Sequence, residues 1–113
     1  MIYHKELAEG RWKKFSFIEQ MANIGSEVAR AIRYRPDNKR DSVIAAERAL
    51  ELLDLTIEDE KNKGRGRQKE LWRTREVLAD FLFFNNEYKS TDKNWLSYFD
   101  AFAYAASLEH KWD

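Results

Sequence analysis

Residues 17–32 have the apolar period of a packed helix. They read Phe17-Ile-Glu-Gln-Met-Ala-Asn-Ile-Gly-Ser-Glu-Val-Ala-Arg-Ala-Ile32, and Ser16 comes directly before them. Steps of three and four separate the members of one narrow apolar stripe, which comprises Ile18, Met21, Gly25, Val28 and Ile32. Ser16 and Glu19 have the spacing of a capping box, in which each side chain accepts a hydrogen bond from a backbone N–H of the first turn. The pattern predicts a helix over 16–34, ended by Pro36.

Gly25 stands in the middle of this helix, where glycine is about 0.5–1 kcal/mol less favourable than alanine. The residues around it, Ala22, Ser26 and Ala29, are also small. We therefore expect another helix to approach closely at Gly25.

Three further helices are predicted over 39–57, 68–84 and 91–110. The second has an apolar stripe and, away from it, two more leucines, Leu52 and Leu55, so it carries a second apolar face. The residues expected to point inward from the three helices are Val43, Ala46, Leu50, Leu53, Ile57, Leu71, Leu78, Phe81, Leu82, Trp95, Phe99, Phe102 and Ala106. A charged loop with Gly64 and Gly66 precedes the third helix, and Ser90 or Thr91 can cap the fourth. Four helices with short connections predict a single all-α domain, an antiparallel up-down-up-down four-helix bundle with a short N-terminal arm over 1–15.

Composition restricts the classes of function. Twenty basic and twenty acidic residues cancel, so no overall charge attracts the chain to nucleic acid or to an anionic membrane. The absence of cysteine excludes disulfides and thiolate chemistry. No apolar run approaches the ~20 residues of a membrane span, so we expect a cytoplasmic protein that does not enter the membrane.

The common catalytic patterns do not occur in this sequence. Neither histidine, His4 or His110, has a glutamate three residues before it, and no phosphate-binding loop or nucleophile elbow is present. An alternative is a magnesium-dependent nucleotide hydrolase that uses acidic pairs one helical turn apart, namely Glu51, Asp54, Glu76 and Asp80. Such pairs are more often solvated and bound to neighbouring arginines. We therefore predict no catalytic residue, no metal, no cofactor and no small-molecule substrate.

Basic residues concentrate between positions 61 and 73. In an antiparallel bundle this connection lies at the same end as the start of the first helix, which is also basic. A cluster of cations with an aromatic ring suits phosphate contacts and base stacking, so the predicted nucleic-acid-binding residues are Lys61, Lys63, Arg65, Arg67, Lys69, Arg73, Arg11, Lys13, Lys14 and Trp12. The alternative is a bundle tip that is charged for solubility only.

Sixteen residues, four Trp, five Tyr and seven Phe, are aromatic, more than the interior of a small bundle is expected to hold. Aromatic side chains are enriched where proteins contact one another. The predicted oligomer interface comprises Leu52, Leu55, Tyr104 and Trp72, and a second copy of the chain is the simplest partner. A different protein partner, as for an antitoxin or immunity protein, is the alternative.

Four phrases of the sequence resemble a set of small, mostly uncharacterised bacterial and archaeal proteins: Gly10-Arg-Trp12, Glu19-Gln-Met-Ala-Asn-Ile-Gly-Ser-Glu-Val28, Glu47-Arg-Ala-Leu-Glu-Leu-Leu-Asp-Leu-Thr56 and Arg75-Glu-Val-Leu78. The resemblance implies a compact helical bundle and transfers no catalytic residue. In length and helix count the chain is also similar to the four-helix proteins of ribosomal intervening sequences and to the accessory protein of diversity-generating retroelements. That likeness implies an oligomeric bundle with a basic surface that contacts nucleic acid or a reverse transcriptase.

Taken together, these features predict a non-enzymatic, self-associating helical bundle. We expect it to act as an adaptor or accessory protein that contacts nucleic acid through a basic tip.

Overall fold

The computed structural model describes residues 10–64 and 66–110, and this part of the chain is all-α, with four α-helices and no strand. The helices are α1 (Phe17–Tyr34), α2 (Lys39–Glu58), α3 (Arg67–Phe83) and α4 (Asp92–His110). Two short 3₁₀ helices, Arg11–Lys14 and Glu60–Asn62, precede α1 and α3. The predicted all-α class and the four helices are confirmed. Residues 1–9 of the predicted arm lie outside the described residues. None of the helices that are described is long and apolar enough to cross a membrane.

Polar side chains fix where the helices begin. At α1 the Ser16 hydroxyl accepts from the backbone N–H of Glu19 (3.1 Å), and the Ser16 N–H donates to the Glu19 carboxylate (2.9 Å), which confirms the capping box. The Asn38 side chain accepts from the backbone of Asp41 and begins α2. At α4 it is Thr91, one of the two predicted caps, whose hydroxyl accepts from the N–H of Asn94.

Helix α1 is the centre of the packing because it contacts both α2 and α4 extensively, whereas α3 packs mainly against α2. Gly25 permits the contact with α4. A Cβ atom at this position would lie only 2.5 Å from Cβ of Phe99, so the expected close approach of another helix is confirmed. The buried core comprises Trp12, Met21, Ile24, Val28, Ala49, Leu52, Leu53, Ile57, Leu71, Leu78, Trp95 and Phe99.

The stripe predicted for α2 is only partly right. Val43 is 38% exposed and Leu50 is half-buried, whereas Ala45, Ala49 and Leu52 are buried. Small alanine side chains let α1 approach, and α2 also contacts α3. Both apolar faces of α2 are therefore covered within one chain.

Contacts at the helix ends show which termini meet. The Ser42 hydroxyl at the start of α2 donates to the carbonyl of Ala31 near the end of α1 (2.6 Å). The start and end of α4 lie beside the end and start of α1, through the Arg35–Asp92 ion pair and a hydrogen bond from Ser16 to Glu109. The amide of Gln68 at the start of α3 donates to the carbonyl of Ile57 at the end of α2.

Candidate interaction surfaces

A buried polar network joins the first 3₁₀ helix to α1 and to the end of α2. The indole N–H of Trp12 donates to the Thr56 hydroxyl (3.0 Å). The fully buried Gln20 amide donates to the carbonyl of Trp12 and to Asp59 Oδ2, and accepts from the Asn62 amide. Because each of these groups bonds to a different segment, the network holds the basic 3₁₀ helix against the loop that follows α2.

Asp59 is the charged member of this network and is only 4% exposed. Burial by itself would raise the pKa of this carboxyl group. Hydrogen bonds from the Lys61 ammonium, the Gln20 amide and the Lys61 backbone outweigh burial and hold the pKa of Asp59 below its usual value. The carboxylate is thus stabilised in its ionised form inside the protein.

The structure brings the predicted basic residues of the 3₁₀ helix and of the loop together, because the Lys61 ammonium also donates to the carbonyl of Lys13 (3.0 Å). Much of the charge is neutralised within the chain. Lys61 pairs with Asp59, and Lys63 pairs with Glu60. The guanidinium of Arg67 lies 4.2 Å above the centroid of the Phe17 ring, a cation–π contact.

Lys13 and Lys14 are exposed and form no ion pair among the described residues. Lys69 and Arg73 are exposed on α3, Arg11 is exposed beside Trp12, and Arg65 lies outside the described residues. The base-stacking role predicted for Trp12 is wrong for this fold. The ring is 2% exposed and packs edge-on against Phe15 in the core, so it presents no face to a base.

The outer face of α3 and the turn after it form an aromatic depression, which we call the α3 depression. It has a volume of about 860 Å³, and its aromatic members are Trp72, Phe84 and Tyr88, which are 55%, 74% and 47% exposed. A second depression of about 760 Å³, lined by Gly66, Lys69 and Arg73 among others, shares Trp72 with the first. Trp72 therefore contributes to the walls of both depressions.

Charged residues of both signs surround the α3 depression. Asp80 accepts from the backbone N–H groups of Glu87 and Tyr88, which fixes the turn that carries the Tyr88 ring. A hydrogen bond to the Glu76 carboxylate raises the pKa of the Tyr88 phenol. Arg73 lies 6.0 Å from the centroid of the same ring. Polar contacts thus hold the turn while its rings stay exposed.

The four residues predicted for an oligomer interface lie in different surroundings. Leu52 belongs to the core (3% exposed), and Leu55 is half-buried and packs against that core, so the interface role predicted for Leu52 is wrong: α1 and α3 cover both faces of α2 within the chain. Tyr104, on α4, is 68% exposed, and Trp72 is 55% exposed on α3. Phe84 and Tyr88 are not among the four residues predicted for the oligomer interface, although their exposed rings line the α3 depression at the end of α3 and in the turn after it.

The acidic residues of the alternative hydrolase site do not form a metal-binding group. Asp54 receives two hydrogen bonds from the Arg75 guanidinium, and Asp80 is engaged by the turn described above. Within 10–64 and 66–110 there is no cluster of three or more acidic or histidine side chains placed to hold a metal ion.

Comparison of the chain with protein-family models, with curated proteins and with solved structures gave no match. The resemblance noted from the sequence stays a prediction.

Proposed function

We propose that this protein is a non-enzymatic helical bundle that associates with a second copy of itself and serves as an adaptor. The observation that carries the proposal is the exposed aromatic surface of the α3 depression. Three large rings in one patch are costly to leave in water, and patches of this kind mark protein contact sites. Tryptophan and tyrosine are also the residue types that most often anchor such contacts.

The end contacts favour the antiparallel arrangement predicted from the sequence, with the first 3₁₀ helix as part of an N-terminal arm. The start of α1 meets the end of α2 through Gln20 and Asp59, and the end of α1 meets the start of α4 through Arg35 and Asp92. In this arrangement α3 lies at one side of the bundle. Its outer face, with the exposed ring of Trp72, is then open to a partner.

Contact with nucleic acid is a second candidate function, supported by Lys13 and Lys14. These lysines belong to the first 3₁₀ helix, which the buried network holds beside Lys61. Both are exposed, and neither forms an ion pair in the described part of the chain. Two neighbouring exposed lysines attract the phosphates of a nucleic acid but do not distinguish its base sequence.

The test of self-association is the molar mass in solution, measured by light scattering on a size-exclusion column. We expect a dimer for the wild-type protein and a monomer for Trp72→Ala, which removes an exposed ring and should keep the fold. Tyr104→Ala is the matched control, because this aromatic residue is also more than half exposed but lies on α4. A monomeric wild-type protein would contradict the proposal, and dissociation by Tyr104→Ala alone would move the interface to α4.

A further inference from the structure

Four charged residues on the outer face of α3 form a pattern that is symmetrical in position and inverted in sign. They are Lys69, Arg73, Glu76 and Asp80, with spacings of four, three and four residues. The midpoint lies between Thr74 and Arg75, and reflection through it exchanges each basic residue with an acidic one. Lys69, Arg73 and Glu76 are exposed and Asp80 is partly exposed.

Helical geometry places these four residues together. At 3.6 residues per turn they occupy an arc of about 60° on α3, and Trp72 lies about 40° beyond the Glu76 edge of this arc. The same arc borders both depressions, since Glu76 lines the two of them. A partner that contacts the aromatic surface therefore also meets this row of charges.

We propose that the occupant of the α3 depression is a second copy of the chain. Its α3 packs antiparallel to the first, and the two-fold axis crosses the pair of helices at the level of the peptide bond between Thr74 and Arg75. This inference rests on the self-association proposed above and specifies its geometry. Arg73 then faces Glu76 of the partner subunit, and Lys69 faces Asp80 of the partner subunit. The two-fold axis repeats both pairs, which gives four ion pairs along one edge of the contact.

Charge excludes the other simple arrangement. In a parallel pair of helices each residue meets its own copy, so Lys69, Arg73, Glu76 and Asp80 would each face the same charge. Like charges that are placed across an interface are costly, whereas the antiparallel register replaces every repulsion by an attraction.

The same register seats the tryptophans. The level of Trp72 along the axis differs from that of its copy by about five residues, or roughly 7.5 Å at 1.5 Å per residue. Trp72 of the partner subunit then stands beside the turn from Glu76 to Asp80, over the α3 depression. Each subunit provides one ring and one hollow, as a closed two-fold contact requires.

Charge reversal tests the register. Arg73→Glu and Glu76→Arg each place two like-charged pairs across the proposed contact, and we expect each variant alone to dimerise at least tenfold more weakly than wild type. An equimolar mixture should restore a heterodimer of wild-type strength, because a chain with acidic residues at 73 and 76 then meets a chain with basic residues there. Sedimentation velocity at low salt measures the affinity, and native mass spectrometry of the mixture, with one chain isotope-labelled, identifies the heterodimer.

The mixture separates contacts between chains from contacts within one chain. Arg73 and Glu76 are also neighbours on the same helix, so the double variant R73E/E76R restores both kinds of contact, whereas the mixture restores only the contact between chains. Arg40→Glu, an exposed reversal on α2, is the matched control and should leave dimerisation unchanged.

The two proposals fail differently. If the wild-type dimer is lost in Trp72→Ala but the mixture forms no heterodimer, the antiparallel register is overturned while self-association through the α3 depression stands. If wild type is monomeric at every concentration, both proposals are overturned.

Discussion

At the scale of single residues, the polar interior at the start of α1 determines how the basic segments sit. Gln20 and Asn62 are almost completely buried, yet the Gln20 amide bonds to Trp12, Asp59 and Asn62, and the Asn62 amide donates to Gln20 and to the carbonyl of Thr56. A buried amide without partners would be strongly unfavourable, so these bonds specify one arrangement of the segments. Asp59 adds a charge to the network and makes it sensitive to pH.

Asp59→Asn should destabilise the fold at neutral pH by about 1–3 kcal/mol, because one oxygen that accepts from Lys61 or Gln20 becomes a donor. The pKa of Asp59 is lower in the folded than in the unfolded chain. Its contribution to stability is therefore complete above the unfolded pKa, about 3.9, and is lost as the pH falls through the lower folded value. Urea unfolding of both proteins from pH 7 to pH 2.5 should show the difference between them shrinking below about pH 4.

Asp37→Asn is the control for this experiment, because Asp37 is exposed and its carboxylate makes no hydrogen bond or ion pair among the described residues. Its difference from wild type should stay small at every pH. A pH-independent difference for Asp59→Asn would show that Asp59 contributes by packing and not by charge.

At the scale of the helices, the contact between α1 and α4 depends on the absence of one side chain. Gly25→Ala should destabilise the protein by about 1–3 kcal/mol in spite of the higher helix propensity of alanine. The nearest atom to the new Cβ is Cβ of Phe99, which no change of rotamer can move, so the helices must separate. Asn23→Ala, an exposed change on the same helix, should be close to neutral in the same denaturant titration. Equal stability of the two variants would show that α4 can shift at no cost.

At the scale of the whole molecule, the net charge is balanced, but the basic residues differ in whether an acidic residue pairs with them. Lys61 and Lys63 are neutralised, whereas Lys13 and Lys14 are not paired in the described part of the chain. If the second candidate function is right, a single-stranded oligonucleotide binds with an affinity that falls with salt, and K13Q/K14Q lowers the slope of log K against log salt by about 1.4, from about 0.7 for each phosphate contact. Fluorescence anisotropy between 50 and 300 mM salt measures this slope.

The matched control for nucleic-acid binding is K89Q/K93Q, which removes two exposed lysines from the region around the start of α4. An equal change of slope in the two double variants would show that the contact with nucleic acid is diffuse and not located on the first 3₁₀ helix. No measurable binding at the lowest salt would remove this candidate function.

The sequence by itself determined the helices, because apolar period, caps and breakers are local. Ser16 with Glu19, Pro36, and the glycines before α3 mark ends without any knowledge of distant residues. Gly25 also predicted a close contact with another helix, because glycine is unfavourable inside a helix and few other causes explain its presence there. Only the tertiary structure decided which apolar residues are covered. The helical period of α2 predicted Leu52 for an interface, and the basic residues around Trp12 predicted a ring open to bases. Neighbouring segments bury both side chains. Trp72, Phe84 and Tyr88 stay exposed because α3 packs mainly on α2, and burial depends on contacts between segments far apart in the chain, which no local pattern encodes.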